Sequence, residues 1–343
     1  MEDTGGLDAT ISSDGIRLKA HLASPNGNGG SPAPAVVICH GFPTGPRGAV
    51  ASAATFPELA DRIARECGWH ALAFNCRGTG TSGGDFSVAG WLADIRAAVS
   101  FLDDRPETQG VWLVGIAEGG TFAVLATAAD PRVRGCAVLA APVNLRGWGR
   151  DPARLLEFSR RVGMIRAPDF PASVSAWSRG VAAVDAVASA PRIAPRPLLV
   201  LIGTSDTVVG LTDARDLADA AGEGGELRMV GGAGHELRHD PRAVASLLGW
   251  LERQVPWSPE NGDAGESGDA AGAVESGIAA SGESGGSESG GSQLGGSESG
   301  GSQLGGSELG ETGLGESGLG ESGLGESGLG GSGEDQPPPA RRR

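Results

Sequence analysis

The segment from Val111 to Gly120 constrains the fold of this chain more than any other. A short apolar and β-branched run at Val111–Val114 leads into Gly-x-Ala-x-Gly-Gly, and an apolar helical pattern begins directly after the glycines. This order predicts a buried strand, a tight turn and a helix, as in a strand–helix unit of a parallel sheet. Ala117 stands at the third position of the turn, and its methyl group can neither attack a carbonyl carbon nor lose a proton.

Strand and helix patterns alternate through most of the chain. An alternating apolar pattern at 7–12 and 16–22, split by a Ser-Asp-Gly turn, predicts an opening hairpin. Later apolar runs predict strands that are covered on both faces; they lie at 35–39, 71–75, 111–114, 136–140, 198–202 and 226–230. Amphipathic helix patterns separate these runs. The sequence therefore predicts an α/β fold with three αβα layers and a doubly wound, mostly parallel sheet.

Residues 143–196 interrupt this alternation. They contain no convincing strand pattern, but helix starts are indicated at Asp151-Pro152 and at Ser173. We expect a small helical cap inserted between two late strands and lying over the carboxyl edge of the sheet. The candidate pocket-lining residues are His40, Trp148, Phe158 and Trp177.

Composition divides the chain into a body at 1–256 and a tail at 257–343. The tail is rich in Gly, Ser and Glu, and it carries 15 acidic residues and three arginines of a chain whose net charge is −15. Such a segment cannot bury enough apolar surface to offset chain entropy, so we predict that it is disordered. The acidity argues against a nucleic-acid partner, because phosphate binding needs clustered basic residues.

The remaining composition indicates a cytoplasmic protein. The first residues are acidic and have no apolar core, so they do not form a secretory signal. No apolar run approaches the ~20 residues that a membrane-spanning helix needs, which argues against a membrane partner. The four cysteines lie inside apolar runs without metal-ligand spacing, and we expect free buried thiols.

Short polar or glycine-containing segments follow several of the predicted strands in a recognisable order. They are His40-Gly41-Phe42, the run from Asn75 to Phe86, the turn at Ala117, Asp206, and Gly232-Ala-Gly-His235. The order of turn, acid and histidine is that of nucleophile, acid and base in α/β-hydrolases. Residues of about 7–255 resemble a bacterial α/β-hydrolase of the dienelactone-hydrolase and serine-aminopeptidase-like set.

The resemblance implies a role for each of these residues. Asp206 would orient His235, and His235 would act as a general base. The backbone N–H groups of Phe42 and Glu118 would form the oxyanion hole. Ala117 occupies the position of the nucleophilic serine, and loss of such a serine costs a hydrolase ~10⁶ in kcat. Without it, a role of Asp206 and His235 as a purely structural hydrogen-bonded pair is as well founded as a functional role.

Three functions are compatible with this pattern. The first is a serine-less protein that binds a small acyl or ester-like ligand, or a protein whose identity the sequence does not give, without efficient turnover. The second is a hydrolase of ester or amide bonds that uses water held by His235 and Glu118. Against it, an acidic residue at a helix start is favourable through the helix dipole alone. The third is an interaction protein that acts through its tail.

Two motif matches carry less weight. His235-Glu-Leu-Arg-His239 matches the zinc-protease signature, but glycines precede it and Asp240-Pro241 starts a helix after it, so a loop is expected there. The run at 78–83 matches Gly-x-Gly-x-x-Gly, but its third glycine does not open a helix, and a mobile glycine loop near the pocket is the better interpretation. We therefore expect no metal site and no cofactor.

Overall fold

A computed structural model describes residues 6–25, 32–43 and 56–254. The strands are β1 (Leu7–Ser13), β2 (Ile16–Ala23), β3 (Ala33–Cys39), β4 (His70–Phe74), β5 (Thr108–Ile116), β6 (Val133–Leu139), β7 (Leu198–Gly203) and β8 (Gly225–Val230). The helices are α1 (Phe56–Cys67), α2 (Val88–Asp103), α3 (Glu118–Ala129), α4 (Arg146–Arg150), α5 (Pro152–Arg161), α6 (Val174–Ala182), α7 (Ala186–Ser189), α8 (Leu211–Ala220) and α9 (Pro241–Glu252). The predicted disordered tail at 257–343 lies outside the described residues.

The strands form one sheet in the order β1-β2-β4-β3-β5-β6-β7-β8. The β1–β2 and β2–β4 pairs are antiparallel, and every later pair is parallel. The predicted hairpin and the doubly wound, mostly parallel sheet are thus confirmed. The carboxyl ends of β3, β5, β7 and β8 all lie at one edge of the sheet, which is where ligands bind in open α/β folds.

Three of the described helices, α5, α6 and α9, begin where the sequence pattern places their caps. The Asp240 carboxylate accepts a hydrogen bond from the Arg242 N–H at 2.9 Å, with Pro241 at the first helical position. Asp151 and Ser173 cap α5 and α6 in the same way. Within the part of the chain that the structure describes, no helix has the length and apolarity needed to cross a membrane.

The core lies on both faces of the central strands. Every residue of β4 and β7 is buried, as expected for strands covered by helices on two sides. Burial of each large apolar side chain stabilises the fold by roughly 1.5–3 kcal/mol. The edge strands differ from this pattern, since Leu7 on β1 and Met229 on β8 are exposed. All four cysteines are free, as predicted, and Cys67 alone among them is only partly buried.

The inserted region contains the predicted helices. Residues 140–197 are all described, and their only strand-like pairing is the isolated bridge between Asn144 and Asp185. The loop after β4 joins this region to the sheet: the Phe86 N–H donates to the Met164 carbonyl oxygen at 2.8 Å. In the glycine run at 78–83, the Gly78 N–H donates to the Gly83 carbonyl oxygen and the Gly83 N–H donates to the Arg17 carbonyl oxygen, both at 3.0 Å. The mobility expected of this loop stays a prediction.

Candidate active site

Ala117 lies at the tip of a strained turn between β5 and α3. Its backbone angles are φ 50° and ψ −130°, a region that residues other than glycine rarely adopt. The Ala117 N–H donates to the Leu139 carbonyl oxygen at 2.9 Å, and the Ala117 carbonyl oxygen accepts from the Gly120 N–H at 2.8 Å. The surrounding hydrogen bonds therefore hold the strained turn although no serine occupies its tip.

The glycines of the turn allow close packing of backbone against backbone. A Cβ on Gly115 would lie 2.4 Å from the Gly120 Cα. A Cβ on Gly119 would lie 2.3 Å from the Cys39 carbonyl oxygen at the end of β3. The Gly-x-Ala-x-Gly-Gly pattern is thus explained by the turn geometry and by the approach of β3 to the start of α3.

Asp206 and His235 form a hydrogen-bonded pair at the same sheet edge. The His235 Nδ1 lies 3.0 Å from Asp206 Oδ2, and the Asp206 side chain is fully buried. The other carboxylate oxygen accepts hydrogen bonds from the Val208 and Val209 N–H groups at 2.8 and 2.9 Å. A hydrogen bond from Nδ1–H to this carboxylate orients the ring, and Nε2 makes no hydrogen bond with the described residues.

Two further contacts join the loops that carry this pair. The Ser205 N–H donates to the Ala233 carbonyl oxygen at 2.9 Å, and the Gly232 N–H donates to Thr204 Oγ1 at 2.7 Å. The loop after β7 and the loop after β8 therefore support each other. This arrangement keeps the imidazole at the carboxyl edge of the sheet.

The Glu118 side chain occupies a position that the sequence analysis did not anticipate. Its Oε2 accepts a hydrogen bond from the Phe42 N–H at 3.0 Å. A Cβ on Gly41 would lie 2.8 Å from that oxygen and 3.0 Å from the Ala117 Cβ, so carboxylate and methyl group are neighbours. One of the two N–H groups proposed for the oxyanion hole is thus bound by a carboxylate of the chain itself. The Glu118 N–H, as the first of α3, has no partner within its own helix.

His40 supports the loop that carries Phe42 and does not line an open pocket. It is 1% exposed; its Nδ1 donates to the Gly41 carbonyl oxygen at 2.8 Å, and its Nε2 accepts from the Cys76 N–H at 3.1 Å. Burial lowers the pKa of His40, against the smaller opposing effects of the Gly41 carbonyl and Asp94. The expectation that His40 lines the ligand pocket is therefore corrected, because both ring nitrogens are engaged inside the fold.

The sequence analysis missed a second support of this loop, the Arg77–Asp94 ion pair. Asp94 is fully buried, and its carboxylate accepts hydrogen bonds from the Arg77 guanidinium at 2.7–3.1 Å and from the Arg77 N–H at 2.7 Å. The pair thereby fixes the chain beside Cys76, whose N–H contacts His40. The sequence does contain an indication of this pair: Asp94 lies on the apolar face of the helix pattern at 91–102, where a buried carboxylate needs a partner.

Aromatic residues of the cap meet the loop after β3. The Phe42 ring contacts Trp148 edge-on at a centroid distance of 6.1 Å, and Trp148 contacts Phe158 at 4.8 Å. Trp148 and Phe158 are both half-buried. Trp177 is 7% exposed, and its Nε1–H donates to the Phe86 carbonyl oxygen at 3.0 Å. Trp177 therefore packs between the cap and the loop after β4, which corrects its assignment to the pocket lining.

The segment that matches the zinc-protease signature lacks the helix on which that signature depends. Residues Leu237–His239 form a single 3-10 turn, and His235 already bonds Asp206 through Nδ1. Among the described residues, no three His, Cys, Asp or Glu side chains are grouped for metal binding. The geometry that would bring both histidines of the motif to one helix face is absent here.

Solved structures share this fold at low sequence identity. Est1E from Butyrivibrio proteoclasticus with bound ferulic acid has a TM-score of 0.57 and 19% identity, over 72% of this chain and 97% of its own. The α/β hydrolase GrgF from Penicillium sp. sh18 has a TM-score of 0.58 and 19% identity, over 72% and 98%. The Pyrococcus furiosus esterase Pf2001 has a TM-score of 0.52 and 18% identity, over 73% and 90%. These likenesses support the fold alone.

Sequence comparison gives the family. No curated protein sequence matches the chain. The model of the alpha/beta hydrolase family matches residues 36–247, which span β3 to α9 and include every residue of the candidate site. The chain belongs to the alpha/beta hydrolase family.

Proposed function

We propose that this chain is a member of the family that binds a small ligand at its active-site edge without efficient hydrolysis. The observation that carries the proposal is the placement of Ala117. The strained turn, the Asp206–His235 pair and the loop of Phe42 stand at one sheet edge, but the tip of the turn has no hydroxyl. Without a hydroxyl, the imidazole has no nucleophile to deprotonate, and a rate loss of ~10⁶ is expected.

Two observations support a chemical class for the ligand. The family resemblance implies an acyl or ester-like molecule, and the neighbour with bound ferulic acid is consistent with a small organic ligand. A protein ligand is the alternative within the same proposal. Action through the tail at 257–343 is a separate proposal that rests on composition alone.

Hydrolysis by activated water is the second candidate function. The Glu118 carboxylate lies beside Ala117, which favours it. However, the same carboxylate bonds the Phe42 N–H, so the group that would activate water also occupies a donor that the reaction's oxyanion needs. We therefore rank water activation below ligand binding.

A turnover assay separates the two functions. Purified protein is assayed with a panel of short-chain esters, and His235→Ala serves as the matched variant. We expect hydrolysis by the wild type to equal that of His235→Ala and to remain near the rate without protein. Hydrolysis that depends on His235 in the wild type would overturn the proposal and support activated water.

A further inference from the structure

The Glu118 carboxylate changes the kind of group that the site can bind. In a hydrolase, the N–H groups at this place donate to a negatively charged oxygen. Here the Phe42 N–H is already bonded to Glu118 Oε2, so the site presents a carboxylate where it would otherwise present a donor. A carboxylate of a ligand would meet like charge there, and a carbonyl oxygen would meet a second acceptor, whereas a donor would meet an acceptor.

The carboxylate has capacity for such a donor. An ionised carboxylate accepts about four hydrogen bonds through its two oxygens. Among residues 6–25, 32–43 and 56–254, Glu118 forms no ion pair, and its only side-chain hydrogen bond is the one to Phe42. The other carboxylate at this sheet edge, Asp206, is fully buried and bonded to His235, so Glu118 is the carboxylate with acceptor capacity left for a ligand.

Phe42 connects this carboxylate to an aromatic cluster. Its N–H holds Glu118, while its ring contacts Trp148, which in turn contacts Phe158. Aromatic faces attract organic cations, and the attraction is strongest where the contact excludes water. The Arg161 guanidinium already lies 5.8 Å from the centre of the Phe158 ring. We therefore expect the Trp148 ring, rather than the Phe158 ring, to attract the cation of a ligand.

From these contacts we propose that the site selects a small organic cation, such as a protonated primary amine, in place of the acyl or ester-like ligand that the family resemblance implies. The ammonium group donates to the Glu118 carboxylate, and the adjoining carbon atoms pack against Trp148. The inference rests on the proposed function, because it concerns the ligand of the same non-hydrolytic site. It makes Glu118 the residue that determines specificity.

Three probes of similar size test this selection. Butylammonium, butyrate and methyl butyrate are titrated into the full-length protein by calorimetry and by saturation-transfer NMR. The variants are Glu118→Gln, which removes the charge but keeps an acceptor for Phe42, and Trp148→Ala. Glu223→Gln removes an exposed acid in the short turn after α8 and serves as the control. Circular dichroism checks that each variant is folded.

We expect butylammonium to bind the wild type and Glu223→Gln equally, and to bind Glu118→Gln about tenfold more weakly, with a smaller loss for Trp148→Ala. Tighter binding of butyrate or methyl butyrate than of butylammonium would overturn the inference. Undiminished butylammonium binding by folded Glu118→Gln, or no binding by the wild type, would also overturn it. Failure of the proposed function is separate, since it requires His235-dependent hydrolysis in the turnover assay.

Discussion

The backbone N–H of Phe42 donates to the side-chain carboxylate of Glu118 at 3.0 Å, across the turn that carries Ala117. The contact joins the loop after β3 to the first residue of α3. On the proposed assignment of Ala117 and Phe42, the site differs from a serine hydrolase at two adjacent positions: it lacks the hydroxyl, and one oxyanion donor is occupied. Restoring the hydroxyl alone would leave the second difference in place.

A pair of variants measures the two differences separately. We expect Ala117→Ser to gain slow, His235-dependent hydrolysis of an activated short-chain ester. We expect Ala117→Ser with Glu118→Ala to be faster by about 10²-fold, because a free oxyanion donor contributes that much or more to kcat. Steady-state kinetics gives the comparison, and Ala117→Ser with Glu223→Ala is the control. Equal rates with and without Glu118 would show that its carboxylate does not obstruct the oxyanion.

Asp206 should matter more for stability than His235. The buried Asp206 carboxylate accepts two backbone N–H groups, whereas the His235 side chain is 25% exposed. We expect Asp206→Ala to lower the free energy of unfolding by about 1–3 kcal/mol, and His235→Ala to lower it clearly less. Urea unfolding of both variants checks this. Equal losses would mean that the two residues stabilise the fold only as a pair.

The approach of β3 to α3 can be tested at Gly119. A Cβ there would meet backbone atoms of Cys39 and His40 at 2.3–2.6 Å, so we expect Gly119→Ala to destabilise the protein by about 1–3 kcal/mol. Gly180 lies inside α6 with no atom within 4 Å of a new Cβ, and Gly180→Ala should stabilise by roughly 0.5–1 kcal/mol. Thermal unfolding compares the two, and a neutral Gly119→Ala would contradict the packing described here.

His40 should make stability depend on pH. Burial lowers its pKa in the folded protein below that of the unfolded chain, which is about 6.5. As the pH falls below that value, the unfolded chain takes up a proton that the folded protein does not, so the free energy of unfolding decreases. Burial lowers the pKa of His70 as well, which adds to the effect with the same sign.

We therefore expect the wild type to lose stability between pH 7.5 and pH 5.5, and His40→Gln to lose less over the same interval although it is less stable at pH 7.5. Urea unfolding at both pH values provides the data. An unchanged pH dependence in His40→Gln would show that His40 is not the group responsible.

Much of the fold could be predicted from local patterns. The apolar run at Val111–Val114 predicts a buried strand, and Asp240-Pro241 predicts the start of a helix. Both signals are local, because they depend only on residues that are close together in the sequence. The Asp206–His235 contact could also be expected, because both residues follow strands whose carboxyl ends meet at one edge.

Side-chain direction could not be predicted in the same way. Glu118 is the first residue of α3, where the helix dipole favours an acidic residue whatever its contacts. Nothing in the local sequence indicates that its carboxylate contacts Phe42, which is 76 residues away. His40 and Trp177 also look like pocket residues until tertiary packing shows their partners, the Gly41 and Phe86 carbonyl oxygens. Such contacts depend on how loops meet in space.

The most direct test of the account is intact-protein mass spectrometry after incubation with a fluorophosphonate. The account predicts no adduct on the wild type, one adduct at position 117 of Ala117→Ser, and no adduct when His235→Ala is added to that variant, since the new hydroxyl needs the imidazole to take its proton. A His235-dependent adduct on the wild type would show that the chain has another nucleophile in this site. A well-folded Ala117→Ser that remains unlabelled would contradict the assembly of Ala117, Asp206 and His235 into one site.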